Sequence, residues 1–382
     1  MSKILVVPLP ELGHIFPTLR VARHLCDCGH DVTYLTAPNF KSLIQAAGAR
    51  LEPLLSSDEG EHSPSGIHIW ALFADGDGLR LRPGKLQEIL RRIQERDNFQ
   101  FVLLDHLLAA TYWNEQFDPS RLLLFSTSLP DWNRRGSSHL DLPTIVFCPE
   151  CFEVPKFRHP YPRLHYVEPS LRPPDDSSSN VDGFLDDRPL ILVAFGTQSI
   201  KERRLSATYQ LIAELAQKLP TFKFLLAAPC AGQYESTLSV SFPANMVVAE
   251  QVPQRLLLQR AVAFITHGGL GSVKEAIAAG VPMIVLPSMN DQPYNAMRIR
   301  FHELGGALFK ENRNINDLER LVGDAVEGKF QASLLRMQQH FMALERAAIS
   351  HMLIDSHLAS VESSSTPGCE DALRAAIPLP NE

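Results

Sequence analysis

Short, unbroken apolar runs alternate with segments of three- and four-residue apolar spacing along most of the chain. In the first half the runs fall at 3–8, 31–36, 49–54, 100–105, 121–126 and 143–147, while 16–28 and 84–96 carry helical spacing. In the second half they fall at 189–195, 222–227, 246–250, 261–266, 281–286 and, more weakly, 307–310, with helices expected at 203–218, 269–279, 290–303 and 315–327. Strands that are apolar on both faces and alternate with helices belong to parallel sheets covered on both sides. The pattern therefore predicts two doubly wound α/β halves of about six strands each. A helical stretch follows at 331–360, and 361–382 reads as loosely attached. Between the halves, 168–188 is rich in Pro, Ser and Asp and lacks periodicity, which is a linker composition. The expected domains are 1–167 and 189–345, with a C-terminal helix and tail over 346–382, and two such halves should enclose a cleft.

Composition narrows the class. Of 382 residues, 45% are hydrophobic and 21% charged, which excludes disordered, collagen-like and disulfide-scaffold chains. With 36 Lys and Arg against 43 Asp and Glu, the net charge of -7 lacks the basic footprint that nucleic-acid binding needs. No apolar run reaches the roughly 18 to 20 residues of a membrane span, and the N-terminal stretch reads as a first strand, not a signal peptide. Six cysteines include a single C-x-x-C, Cys148 to Cys151, for which Cys26 and Cys28 are a weak second pair, so no metal site is expected and the cytoplasm is the expected compartment.

In an open parallel sheet, ligands bind at the carboxyl ends of strands where the strand order reverses. For the order 3-2-1-4-5-6 that point lies between the first and fourth strands. In the first half it joins the loop Pro10-Glu11-Leu12-Gly13-His14 to Asp105-His106. A carboxylate beside an imidazole selects one tautomer and stabilises its protonated form, as a general base requires. The alternative is that each residue caps its own helix. In the second half the same point joins Phe195-Gly196-Thr197 to Thr266-His267-Gly268-Gly269-Leu270-Gly271-Ser272, which opens a helix. A glycine-rich turn at a helix N-terminus suits a diphosphate. No P-loop is present, and no G-x-G-x-x-G follows the first strand. On the same rim, Asp291 and Gln292 supply adjacent acceptors and donors for vicinal hydroxyls, or cap the helix that follows.

Residues 264–282, with Pro287, Asp291-Gln292 and Asn295-Ala296, resemble the nucleotide-sugar signature of family 1 (UGT-like) glycosyltransferases, most closely the bacterial natural-product and macrolide branch. Gly13-His14-x-x-Pro17, Asp105, Tyr166-Val-Glu-Pro169 and Phe195-Gly196-Thr197 extend the resemblance collinearly. It implies the GT-B fold, two Rossmann-like doubly wound parallel-sheet domains facing across a cleft. It also implies that His14 is the general base, oriented by Asp105. His267, with Gly269 and Ser272, would contact the diphosphate, Glu275 the ribose, and Asp291 and Gln292 the transferred sugar, with Gly196 and Thr197 on the same rim. Plant members stack a Trp on uracil within W-A-P-Q, where this chain has Gln251-Val252-Pro253-Gln254, and their Trp-Asn pair after the His is Leu270-Gly271 here. Uridine and deoxythymidine donors therefore both stay open.

The expected activity is inverting, metal-independent transfer of a hexose from a UDP- or dTDP-sugar co-substrate to a hydroxyl of a small apolar acceptor. No further cofactor is implied, and a homodimer is left open. Residues 55–98 are expected to help line the acceptor pocket, and Trp70, Trp113 and Trp132 either line it too or serve ordinary packing. The competing readings are an epimerase or hydrolase of sugar nucleotides on the same fold, and a non-catalytic nucleotide-sugar-binding protein.

Overall fold

The computed structural model describes residues 1–54, 83–108, 119–129, 142–155, 163–171, 181–196, 205–228 and 242–362. The chain divides into two compact units. The first comprises Met1–Cys148, His159–Ser170 and Leu344–Glu382, the second Pro149–Arg158 and Leu171–Ala343.

The first unit is built on a sheet of seven strands, β1 (Lys3–Val7), β2 (Asp31–Thr36), β3 (Arg50–Pro53), β4 (Phe101–Asp105), β5 (Leu122–Ser126), β6 (Thr144–Val146) and β7 (Leu164–Tyr166). Their order is β3-β2-β1-β4-β5-β6-β7, and every pairing is parallel. β7 exceeds the expected six strands. It is three residues long and half-buried at the sheet edge, so it carries no apolar run. The second unit holds β8 (Leu190–Ala194), β9 (Lys223–Ala227), β10 (Met246–Ala249), β11 (Ala261–Thr266), β12 (Met283–Val285) and β13 (Gly305–Ala307), all parallel in the order β10-β9-β8-β11-β12-β13.

Apart from Lys3 at the start of β1, the central strands β1, β4 and β8 are buried, as Leu-, Ile- and Val-rich sequences such as KILVV, FVLLD and LILVA require of a sheet covered on both faces. Each sheet places its first and fourth strands side by side. Val7 stands opposite Leu104, and Ala194 opposite Thr266, so the residues just beyond these strands meet at one edge.

Among the described residues, the α-helices up to Phe301 are α1 (Leu12–Asp27), α2 (Lys41–Ala46), α3 (Pro83–Asp97), α4 (Leu205–Lys218), α5 (Gln254–Leu258), α6 (Leu270–Ala279) and α7 (Gln292–Phe301), of which α1, α5, α6 and α7 carry site residues. α1 begins four residues before the apolar spacing does, so His14 lies in its first helical turn and not in a loop. Gly13 and His14 in its first turn interrupt the apolar spacing there. After α8 (Ile315–Val326), the expected single stretch over 331–360 is two helices, α9 (Gln331–Ala347) and α10 (Ile349–Glu362). They are broken at Ala348, whose φ of 49° is left-handed. Leu353, Ile354 and Leu358 of α10 join the core of the first unit. Arg20 of α1 binds Glu345 at 2.6 Å, and Glu168 accepts the Ser350 N–H at 2.9 Å. Among the described residues no helix is long and apolar enough to cross a membrane.

Candidate active site

In the first unit, the ends of β1, β4 and β5 converge on one buried carboxylate. Asp105 ends β4 and is fully buried. Its Oδ2 lies 2.7 Å from His14 Nδ1 and accepts the Leu9 N–H at 3.3 Å. Its Oδ1 accepts the Leu107 N–H at 3.1 Å, and His106 Nδ1 stands 3.6 Å away. Burial by itself pushes the carboxyl upward. The charge and hydrogen bond of His14, the nearby His106 and the Leu107 N–H outweigh it and hold Asp105 below the usual carboxylate range. The residue is therefore ionised at neutral pH. An ionised Asp105 accepts from Nδ1–H, which leaves Nε2 as the basic nitrogen of His14.

Sequence reasoning missed a third member. Thr127 Oγ1 lies 3.0 Å from the same His14 Nδ1. Pairing of Asp105 with Phe125 brings the end of β5 beside the carboxylate, and Ser126 pins the turn by accepting from the Ser128 N–H at 3.3 Å. The readable signal was a hydroxyl two residues past the strand register that faces Asp105.

In the second unit, the ends of β8, β11 and β12 assemble a different kind of site. The His267 imidazole is packed against two glycine backbones. A Cβ on Gly196 would lie 2.7 Å from the ring, and one on Gly269 would overlap it. Gly196 also has φ of +76°, so glycine is required there twice over. Burial lowers the His267 pKa from 6.5 to about 4, only partly opposed by a hydrogen bond to the Ala194 backbone. The ring is thus neutral at physiological pH. From Gly269, helix α6 runs away from this ring with no acidic residue in its first turn, which contains Gly271 and Ser272. A side chain on Gly271 would meet open space.

Beside that turn, Gln254 Nε2 donates to Glu275 Oε2 at 2.7 Å and to Ser272 Oγ at 3.3 Å, so three of the expected donor-binding residues form one cluster. Gln251 is exposed and Val252 half-buried on the segment leading into α5. Asp291 stands at the N-cap of α7 without making a side-chain cap; its Oδ2 instead accepts from Asn295 Nδ2 at 2.9 Å. Gln292 is buried, and its Oε1 accepts the backbone N–H groups of Ser288 and Met289 at 2.9 and 3.1 Å. The carboxamide oxygen thus shapes the loop, and the amide group is what remains to face a ligand. Thr197, the stretch 74–78 and Trp70, Trp113 and Trp132 lie outside the described residues. Among the described residues no group of three or more His, Cys, Asp or Glu is placed to hold a metal ion, and Cys26, Cys28, Cys148 and Cys151 are free thiols.

Comparison with known proteins adds a family to this geometry. Residues 230–343 match the model of the "Erythromycin biosynthesis protein CIII-like, C-terminal domain". The NDP-glycosyltransferase YjiC of Bacillus subtilis (strain 168) is 27% identical over 364 residues, which is 84% of this chain and 88% of the relative. Among solved structures, the glycotransferase of kitacinnamycin superposes with a TM-score of 0.72 at 21% identity, covering 93% of this chain and 99% of that one. The spinosyn rhamnosyltransferase SpnG complexed with thymidine diphosphate gives 0.64 at 18% identity, covering 90% and 96%. The chain is a glycosyltransferase with the GT-B fold, similar to the family 1 enzymes. Its relatives include bacterial enzymes of natural-product biosynthesis.

The glycosyltransferase also holds a buried ion pair that sequence reasoning left without a role. Arg298 of α7 binds Glu153 in bidentate fashion, Nε to Oε1 at 2.8 Å and Nη2 to Oε2 at 2.9 Å, with both side chains 1% exposed. Removing one partner of such a pair strands a buried charge, at a cost of about 3–5 kcal/mol. The only signal in the sequence was a Glu in an apolar segment, and its partner lies 145 residues away.

Proposed function

We propose that the glycosyltransferase moves a hexose from a UDP- or dTDP-sugar to a hydroxyl of a small apolar acceptor, with inversion at the anomeric carbon and without a metal. The observation that carries this reading is the 2.7 Å contact between His14 Nδ1 and the buried, ionised Asp105. An alcohol is a weak nucleophile, and a neutral imidazole can take its proton as attack proceeds. His14 Nε2 takes that proton and Asp105 stabilises the resulting imidazolium. The acceptor oxygen forms a bond to the anomeric carbon as the bond to the diphosphate oxygen breaks. The electron pair leaves with the nucleoside diphosphate, and a single displacement inverts the centre.

The leaving group's negative charge is met by the N-terminus of α6 and by Ser272, while the neutral His267 ring, whose N–H is taken by the Ala194 carbonyl, packs beneath the glycine turn that presents that N-terminus. The Glu275 and Gln254 cluster receives the ribose, and Asp291 with the Gln292 amide receives the sugar hydroxyls. Thymidine diphosphate in a fold neighbour and the name of the Bacillus relative support a nucleotide donor of this class. The erythromycin-type family model supports a small apolar acceptor.

The test is a thermal-shift screen with UDP, dTDP and their glucose conjugates, on the native protein, Glu275→Ala and His14→Ala. One nucleotide should raise the melting temperature of the native protein. The shift should vanish in Glu275→Ala and persist in His14→Ala, which should show no transfer. No shift with any of the four, or equal transfer by His14→Ala, would overturn the proposal.

A further inference from the structure

We propose that Asn295 is a positioning residue that ties the two loops of the donor site together, setting the Gly268–Gly269 peptide and the Asp291 carboxylate with a single amide group. The proposal rests on the donor-site reading above. Asn295 is fully buried one turn into α7. Its Nδ2 donates to the Gly268 carbonyl at 2.9 Å and to Asp291 Oδ2 at 2.9 Å. The two hydrogens of one planar amide account for both bonds. The buried Oδ1 meets no hydrogen-bond partner, so the side chain serves through its donors. Aspartate at this position would set an acceptor against two acceptors, and leucine would supply neither bond.

The geometry explains why these two partners matter together. Gly268 lies between His267, whose ring packs on Gly196 and Gly269, and the head of α6. In a trans peptide the carbonyl and the following N–H point in opposite directions. Holding the Gly268 carbonyl against buried Asn295 therefore turns the Gly269 N–H away from it. No residue with a side chain could replace Gly268. Its φ is +86°, and a Cβ there would stand 2.6 Å from Val285. At the same time the amide takes one oxygen of Asp291 and fixes the direction of the other. The buried Arg298–Glu153 pair one turn along α7 anchors the helix from which Asn295 reaches.

Calorimetric titration of UDP, dTDP, UDP-glucose and dTDP-glucose into wild type, Asn295→Leu, Asn295→Asp, Asp291→Ala and the double variant Asp291→Ala/Asn295→Leu tests this. The decisive quantity is the glucose increment, the ratio of the Kd for the bare nucleotide to the Kd for its glucose conjugate. Asn295→Leu should cut the increment roughly tenfold, the size of a lost buried hydrogen bond to a charged group. Asn295→Asp should cut it further. Adding Asn295→Leu to Asp291→Ala should not reduce the increment again. Melting curves without ligand show which variants fold. If the leucine variant has no transition, Asn295→Ser, which keeps one donor, should show the same pattern at smaller amplitude. Losses that multiply in the double variant, or an unchanged increment in a folded Asn295 variant, would overturn the positioning role alone. An increment untouched by Asp291→Ala would overturn the donor-site reading, and the positioning role with it.

Discussion

The two halves of the chain each bring an imidazole to the carboxyl edge of a parallel sheet, and they treat it in opposite ways. His14 meets a buried, ionised carboxylate at 2.7 Å and a threonine hydroxyl at 3.0 Å. His267 is wedged between glycine backbones with a backbone hydrogen bond and a 3.4 Å contact to the Thr266 hydroxyl but no carboxylate, and its pKa falls to about 4. A carboxylate at Nδ1 stabilises the imidazolium that proton uptake creates, whereas burial without a partner penalises it. One ring can therefore take a proton in the reaction, and the other stays neutral and donates a hydrogen bond. The same side chain, after the first strand at one switch point and after the fourth strand at the other, acquires two chemistries from its neighbours.

Breaking the first environment should have the largest effect. Asp105→Asn keeps the shape but removes the charge that selects the tautomer. It should lower kcat by about a thousandfold while leaving the donor Kd near wild type. Loss of donor binding in parallel would mean that Asp105 holds the fold and not the base. Gly269→Ala attacks the second environment by driving a Cβ into the His267 ring. It should weaken nucleotide binding about ten- to a hundredfold, read by calorimetry, and leave the His14 pair intact.

A pH series sharpens the contrast. Because His267 has a folded pKa near 4 against 6.5 for an unhindered ring, the unfolded chain binds the extra proton between those values. Native stability should therefore fall as pH drops from about 6.5 toward 4. His267→Gln should lack that part of the slope in denaturant titrations. Asp105 acts in a lower window. Its depressed folded pKa stabilises the native state above the ordinary carboxylate range, and that contribution is lost as pH falls through the folded value. The smallest effect should come from Thr127. Thr127→Val should reduce kcat only severalfold with donor KM unchanged, since Asp105 remains the stronger partner, and Thr127→Ser should restore it.

How legible each part was depends on the reach of the interactions that form it. The central strands of both sheets could be read because they are continuous apolar runs, and the order 3-2-1-4-5-6 in each half then brought His14 to Asp105 without further information. β7 escaped because an edge strand of three half-buried residues has no such signature. The break at Ala348 escaped because nothing in alanine announces a left-handed backbone. Within the site, local patterns announced the glycine turn and the Asp291-Gln292 pair. They said nothing of Gln292 turning its oxygen onto its own loop or of Thr127 joining His14.

Hydrophobic periodicity, glycine placement and motif spacing by themselves determined the two parallel-sheet units, the rim on which the chemistry sits and the residue types found there. These are properties of short segments, and short segments carry them wherever they are. Only the tertiary structure decided the neutral state of His267, the tautomer of His14, the bridging role of Asn295 and the partner of Glu153. Each of these is set by desolvation and by contacts within about 3 Å, and most of the partners lie far apart along the chain.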